Sequence, residues 1–234
     1  MFWTAAGIAS RRRFSFIMAR PMPTDREMSE FLLRACHDLR TPLRAIRAHT
    51  ELLQKRLEDP GPSLEFVVQG ARSLDLLIDG IAAYANALQL DAGSFLPTRL
   101  EVVLRSAMAK LQRAISDAGA EVTYDALPRV NGNPDRLAFV FEELIRNALQ
   151  HAGASPLRIH VAADANGVVT VQDNGKGVEE GDLEHLFKPF HKLQGKGAGM
   201  GLATCRAIIG THGGSIHAAR AESGGLSIVI ALPR

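Results

Sequence analysis

Two cysteines, one tryptophan and 6% aromatic residues in 234 positions leave little material for several familiar kinds of protein. Cys36 and Cys205 lie in stretches of different texture, and no metal-ligand spacing joins them. A disulfide-stapled fold and a zinc site are both excluded on those grounds, and a reduced, cytoplasmic setting is expected. Charge of one sign is equally scarce: 27 Lys and Arg stand against 25 Asp and Glu, a net +2. No global field draws the chain to nucleic acid or anionic lipid, so any partner is recognised through a local site. No apolar run approaches the ~20 residues that span a bilayer. The opening MFWTAAGIASRRRFSFIMARPMPT places its arginines after the short apolar run, the reverse of a secretory signal. Residues 1–27 are expected to be disordered or poorly ordered, with Met18, Met22 or Met28 as alternative starts.

What the chain does have is periodicity. From Leu32 the apolar positions run Leu32, Cys36, Leu39, Leu43, Ile46, Thr50, Leu53, Leu57, alternating steps of four and three, which is a heptad seam. Asp59-Pro60-Gly61-Pro62-Ser63 then breaks the helix. A second seam follows at Leu64, Val67, Ala71, Leu74, Ile78, Ile81, Ala85 and Leu88. Two long helices joined by a short turn form an antiparallel hairpin, and pairing with a second copy into a four-helix bundle would cover both stripes. A homodimer is therefore expected, built on a first domain over residues 28–92.

A second domain, over residues 97–234, mixes periods. Leu100–Ala118 and Pro134–Ala152 read as helices, the latter with proline suited to its first turn. Glu121–Asp125 reads as a short strand. Leu157, Ile159 and Val161 alternate with polar neighbours, and Asn166-Gly167 leads into Val168–Val171 as a hairpin signal. Gly201–His212 reads as a helix stopped by Gly213-Gly214, and Ser215–Ala219 with Leu226–Leu232 as a closing hairpin. The fold class that results is α+β multidomain: a helical hairpin forming a dimeric four-helix bundle, followed by an α/β sandwich.

Chemistry-bearing residues fall in four places. In ACHDLRTPL, His37 stands beside the seam and is expected to be accessible, with Thr41 one turn further on the same face. Neutral imidazole is a competent nucleophile near neutral pH, and Asp38 is placed to hold the ring in one tautomer or to take up its proton. Pro42 removes a helical hydrogen bond and is expected to bend the helix there. By itself His37 reads first as an exposed helical histidine with an accidental proline kink beside it. In DNGKG, a carboxylate at a strand end, Asp173, is able to accept from an amino group such as that of adenine; Gly175 and Gly177 permit φ > 0 and close approach to a flat ligand. Alone that stretch is also an ordinary turn. Gly195–Leu202 sets a glycine-rich loop before a helix, where bare amides suit phosphate; a flexible hinge is the alternative. It lacks the GK[ST] of a P-loop, and its glycines miss the Rossmann spacing. Finally Glu143, Asn147 and His151 succeed one another at one-turn intervals, a face able to hold hydrated Mg²⁺ or simply a solvated one.

In this order the pieces resemble the catalytic core of bacterial sensor histidine kinases, from about Met28 to the carboxyl end. His37–Pro42 is similar to the phosphoacceptor motif, the helix of Asn147 to the asparagine box, Asp173–Gly177 and Gly197–Gly201 to the two glycine boxes, and Phe187–Phe190 to the phenylalanine box. The resemblance implies an ATP-binding domain of the superfold shared with gyrase, Hsp90 and MutL-type ATPases. It further implies adenine on Asp173, phosphates under Gly197, Gly199, Gly201 and Leu202, and Mg²⁺ held through Asn147, with Glu143 beside it. His37 would take the γ-phosphoryl group of ATP and pass it to an aspartate of a response-regulator receiver domain. Asp38 resembles the acid that assists transfer, and Thr41 the residue that positions water for dephosphorylating the regulator. Lys192 and Lys196 are candidates to meet phosphate charge. There are departures: Glu143 replaces an asparagine and resembles the water-activating glutamate of gyrase-type ATPases, and Gln150 replaces a lysine. The short lid between Phe190 and Gly199 implies weak ATP affinity. With no transmembrane segment or input domain in view, a separate sensor or input protein is the expected source of signal. The rival readings are an ATP-independent phosphotransfer scaffold and a gyrase-type ATPase.

Overall fold

The computed structural model describes residues 25–57, 61–89, 93, 95–153, 156–192, 198–221 and 224–233. All but the last few residues of the expected unstructured start, and Asp59 and Pro60 of the expected turn, lie outside them. Two long helices come first, α1 (Asp25–Arg56) and α2 (Gly61–Leu88). α1 begins three residues inside the stretch 1–27 that was expected to lack order. It runs unbroken through Pro42. The turn is tighter than the sequence implies, because Gly61, Pro62 and Ser63 already belong to α2. Proline is tolerated in a first turn, where its missing N–H has no helical acceptor.

The two seams are not buried alike. Cys36 and Leu43 pack with Ala71, Ile78 and Ala82 into one cluster. The alternate seam positions Leu39, Ile46 and Leu53 of α1, and Val67 and Leu74 of α2, stay exposed. Each helix thus spends half of its stripe on the other and presents the remaining half outward. Arg40 Nη2 donates to Asp79 Oδ1 at 2.7 Å, and Arg47 pairs with Asp75, so the flank of the hairpin is tied by charge as well. Both cysteines are free and buried. Burial pushes the Cys205 thiol up to about 12 and raises that of Cys36, so neither is a ready thiolate.

The remainder of the chain is β1 (Leu96–Arg99), α3 (Leu100–Asp117), β2 (Glu121–Tyr124), β3 (Arg129–Gly132), α4 (Pro134–Gln150), β4 (Arg158–Ala163), β5 (Val169–Asp173), α5 (Glu180–Leu183), α6 (Gly201–Thr211), β6 (Ser215–Arg220) and β7 (Leu226–Ala231). Five strands form one sheet in the order β2-β4-β5-β7-β6. Only β2 and β4 are parallel, a pairing that needs a long crossover and finds it in the segment through β3 and α4; the other pairs are antiparallel. Alternation in β4 turns Ile159 and Val161 inward, where they meet Leu104 of α3, Ile145 of α4 and Ile208 of α6 in a common core. The arrangement is a sheet covered by three helices.

The sequence reading missed β1 and β3, which pair with each other in a separate two-stranded ribbon. Thr98 Oγ1 donates across it to Gly132 O at 3.0 Å. Next to this ribbon, Phe95 stacks flat on His212, the residue that caps α6, at 4.3 Å between ring centroids. His212 Nδ1–H donates to Ile208 O at 2.7 Å, and Nε2 accepts the N–H of Asn133 at 3.0 Å. Asn133 is in turn the N-cap of α4, its side chain accepting from Arg136 N–H. One neutral imidazole thereby joins the approach to the sheet domain, the start of α4 and the end of α6.

Candidate active site

Asp173 ends β5, a strand whose β-branched valines pair it on both edges, so its carboxylate is fixed by the sheet. Its Oδ1 accepts the N–H of Gly175 at 2.8 Å and that of Leu226, at the start of β7, at 3.2 Å. Burial raises the carboxyl above its ordinary range in spite of these two bonds and the nearby His151. Glycines are needed around it for space. A Cβ on Gly175 would lie 2.9 Å from Asp173 Oδ1, and one on Gly225 would lie 2.1 Å from Asp173 O. Gly177 has φ +69°, as the sequence reading required; Gly175 is not among the positive-φ residues, and its smallness is what the site uses.

Asp173 opens onto a cavity of about 850 Å³. Glu143, Asn147 and His151 form one wall of it; Gly177, Lys192 and Gly199 contribute from loops, and Gly201 and Leu202 from the first turn of α6. α4 supplies Glu143 and Asn147, whereas His151 is its C-cap, with its N–H donating to Asn147 O. These predicted residues are therefore together. Lys196 and Gly197 lie outside the described residues. Gly199, at φ +68°, is pressed against the backbone of Phe190 and His191, with a hypothetical Cβ only 2.8 Å from His191 O. Phe190 faces it at φ 62°. Gly201 opens α6 directly against Glu143, whose Oε2 would lie 2.3 Å from a Cβ there.

Glu143 also forms an ion pair with Arg146, a further residue of the cavity wall. The guanidinium thus competes with a metal ion for the same carboxylate. Among the described residues no cluster of three or more His, Cys, Asp or Glu has metal-site geometry. Asn147 remains as a neutral oxygen donor on the wall, which suits a hydrated ion that takes most of its ligands from phosphate and water.

The phosphoacceptor candidates stand elsewhere. His37 and Asp38 are on α1 with side chains 81% and 82% exposed, and His37 Nδ1 lies 3.3 Å from Asp38 Oδ1. Thr41 is exposed on the same helix. What links the two halves is α2. Its residues Leu76, Asp79, Gly80 and Ala83 close one side of the cavity, and the same Asp79 holds Arg40, three positions after His37. Sequence reasoning missed this wall and missed the N–H of Leu226. Gly224-Gly225, between the two strands of the closing hairpin, was a visible signal for the second.

Known proteins agree with this assembly. Residues 27–89 match the His Kinase A (phospho-acceptor) domain, and residues 132–234 match the histidine kinase-, DNA gyrase B- and HSP90-like ATPase family. Cyanobacterial phytochrome A of a Nostoc species is 32% identical over 202 residues, covering 81% of this chain and 26% of that protein. The signal transduction histidine-protein kinase AfsQ2 of Streptomyces coelicolor is 33% identical over 228 residues, 87% of this chain and 41% of that one. The chain therefore spans well under half the length of these relatives. Full-length ShkA, solved in complex with AMPPNP, has the same fold with a TM-score of 0.65 at 23% identity, over 88% of this chain and 46% of its own. No helix of the described residues is long and apolar enough to cross a membrane.

Proposed function

Because the chain belongs to the sensor histidine kinases, we propose that it is the core of an ATP-dependent enzyme that phosphorylates its own His37 and passes the phosphoryl group to an aspartate of a response-regulator receiver domain. The observation that carries this reading is the single cavity in which Asn147, His151, Asp173 and the glycine loops face a wall contributed by the phosphoacceptor hairpin. We divide the chain into a dimerisation and phosphotransfer unit over 28–92 and an ATP-binding unit over 97–234.

Asp173 would accept from the adenine amino group, with Gly177 lining the cavity and Gly175 and Gly225 leaving room for the carboxylate itself. Gly199, Gly201 and Leu202 would face the phosphates at the amino end of α6, with Lys192 close by. Mg²⁺, for which Asn147 is the fitting donor, would neutralise phosphate charge. His37 Nδ1 lies 3.3 Å from Asp38 Oδ1; since a carboxylate only accepts, the contact favours the Nδ1–H tautomer, which would leave the Nε2 lone pair free to attack. A new Nε2–P bond forms as the bond from the γ-phosphorus to the ADP oxygen breaks. The ring becomes cationic, and Asp38 stabilises that charge or takes the Nδ1 proton. Thr41, one turn away and exposed, would orient water for the reverse task, dephosphorylation of the regulator.

A reaction that uses ATP and a response-regulator receiver would place this core on the cytoplasmic side. The exposed half-seam of Leu39, Ile46, Leu53 and Leu74 fits a second copy of the hairpin. A sensor or input protein would act on the same bundle. The gyrase-type alternative would need Glu143 to be released from Arg146. The test is incubation with γ-labelled ATP and Mg²⁺: acid-labile label on the wild type, absent from His37→Gln and from Asp173→Ala, is the expected result. ATP hydrolysis without label on His37 would overturn the reading.

A further inference from the structure

Two glycines interrupt α2, and their surroundings differ. A Cβ added to Gly70 meets nothing within 4 Å; one added to Gly80 would lie 2.9 Å from both Cβ and Cγ of Met200 and 3.2 Å from Cβ of Ala198. Real Cβ atoms essentially never approach within 3.0 Å, and the Cβ atoms of Met200 and Ala198 are fixed to the backbone, so the stem itself would have to shift. Met200 is the N-cap of α6 and is 3% exposed. Ala198 leads into it, on the carboxyl side of the lid. The stem on which the glycine loop stands therefore sits in a notch on the hairpin that exists only because residue 80 has no side chain. Leu76, Asp79 and Ala83, at helical spacing around Gly80, complete that face as the cavity wall.

The notch also sets a level along the hairpin. Arg40 lies opposite Asp79, and Arg47 opposite Asp75, so the antiparallel pairing puts His37 opposite the segment just beyond Gly80, near Ala83. Seating Met200 at Gly80 thus holds the mouth of the nucleotide cavity at the height of the phosphoacceptor.

We propose that Gly80 is a positioning residue for phosphoryl transfer: its missing side chain lets the Ala198–Met200 stem dock on α2, which holds the nucleotide cavity level with His37. The inference rests on the kinase reading for its consequence and on steric geometry alone for the docking. Alanine is a better helix former than glycine, so the helix itself favours substitution at either position and a loss confined to position 80 does not come from α2 unfolding.

The experiment compares Gly80→Ala and Gly80→Leu with Gly70→Ala and Gly70→Leu in the full chain, by two readouts. Small-angle scattering without nucleotide reports docking: the Gly80 variants are expected to become more extended, Leu more than Ala, while the Gly70 variants keep the wild-type dimensions. Label on His37 at saturating ATP, alongside nucleotide affinity by calorimetry, reports positioning. A misplacement of an ångström or more is expected to lower the Gly80→Leu rate by about 10- to 100-fold. Affinity should change far less, because Asp173 and its glycines are untouched. Unchanged dimensions for Gly80→Leu overturn the docking. Extended dimensions with an undiminished rate, or a loss that lies wholly in affinity, overturn the positioning. If wild type itself takes no label, the kinase reading fails while the scattering still decides whether the notch holds the stem.

Discussion

Asp173 and Leu226, 53 residues apart, are joined by a hydrogen bond of 3.2 Å from the main-chain N–H of one to the carboxylate of the other. The carboxylate at the end of β5 is aimed by the hairpin that closes the chain, with Gly225 between them too close to carry a side chain. Gly225→Ala should therefore act on nucleotide binding although it touches no nucleotide. Displacing Asp173, or removing it in Asp173→Ala, leaves polar groups unpaired at a cost of about 1–3 kcal/mol, which is about 5- to 150-fold in affinity. Calorimetric titration with ATP checks both, and wild-type affinity in Gly225→Ala would disprove the aiming role.

The same carboxylate gives a pH signature. Its folded value lies above the ordinary 3.8 because burial disfavours the charge. As pH falls, it takes up a proton and becomes a weaker acceptor with an O–H donor of its own, so nucleotide affinity should begin to fall at a higher pH than an ordinary aspartate allows. Stability of the nucleotide-free protein responds in the opposite sense. A raised folded value means that the native state holds the proton more tightly, so this contribution is present below 3.8 and is lost as pH rises through the folded value. Asp173→Asn should flatten both curves, measured by calorimetry and by denaturant titration across the acid range.

His212 predicts a slope of the other sign. Burial lowers its value below the usual 6.5, and its Nε2 must be unprotonated to accept from Asn133. The unfolded chain then binds the proton more readily, so the stability it contributes is complete above 6.5 and declines as pH falls from there toward the folded value. His212→Ala, which also loses the stack with Phe95, should cost about 2–3 kcal/mol at neutral pH. Thermal unfolding between pH 5 and 8 checks the slope and its disappearance in the variant.

His37 has the simplest expectation. With its side chain 81% exposed and its described contact confined to Asp38, His37→Gln should leave stability within about 0.5 kcal/mol of wild type while removing all label. A large drop in melting temperature would mean that the residue has a structural role.

Leu53→Glu together with Leu74→Glu places charge on the exposed half-seam without disturbing Cys36, Leu43, Ala71 or Ile78. Sedimentation should show monomer in place of dimer, with helix content kept. A dimer that survives both changes would locate the second copy on another face.

Much of this was legible from the letters, for a local reason. A heptad seam, an Asn-Gly turn or a glycine loop before a helix is a statement about neighbours in sequence, and Cys36 with Leu43, the β4–β5 hairpin and α6 all obey it. The seam did not reveal which half each helix spends on the other, because burial within one chain depends on how the pair is rotated. β1 and β3 escaped because LPTR and RVNG are four residues each, one with proline and the other with a single buried valine; their pairing is set by Thr98 and Gly132, 34 positions apart. The α2 wall escaped for a related cause: Leu76, Asp79, Gly80 and Ala83 satisfy helical spacing perfectly well, and only the docked second domain gives them a use. Glu143 was visible as an acid one turn from Asn147, yet its chemistry turns on Arg146 beside it.

The lid region begins and ends in one clasp. Phe190 and Gly199 both adopt left-handed backbone and touch, so the chain that departs at one returns at the other with its two ends already fixed together. For a loop closed in this way, length is a weak variable: doubling it adds only about 0.6 kcal/mol of closure entropy. The clasp therefore fixes where the chain leaves the cavity edge and where it rejoins it, whatever the number of residues between the two points.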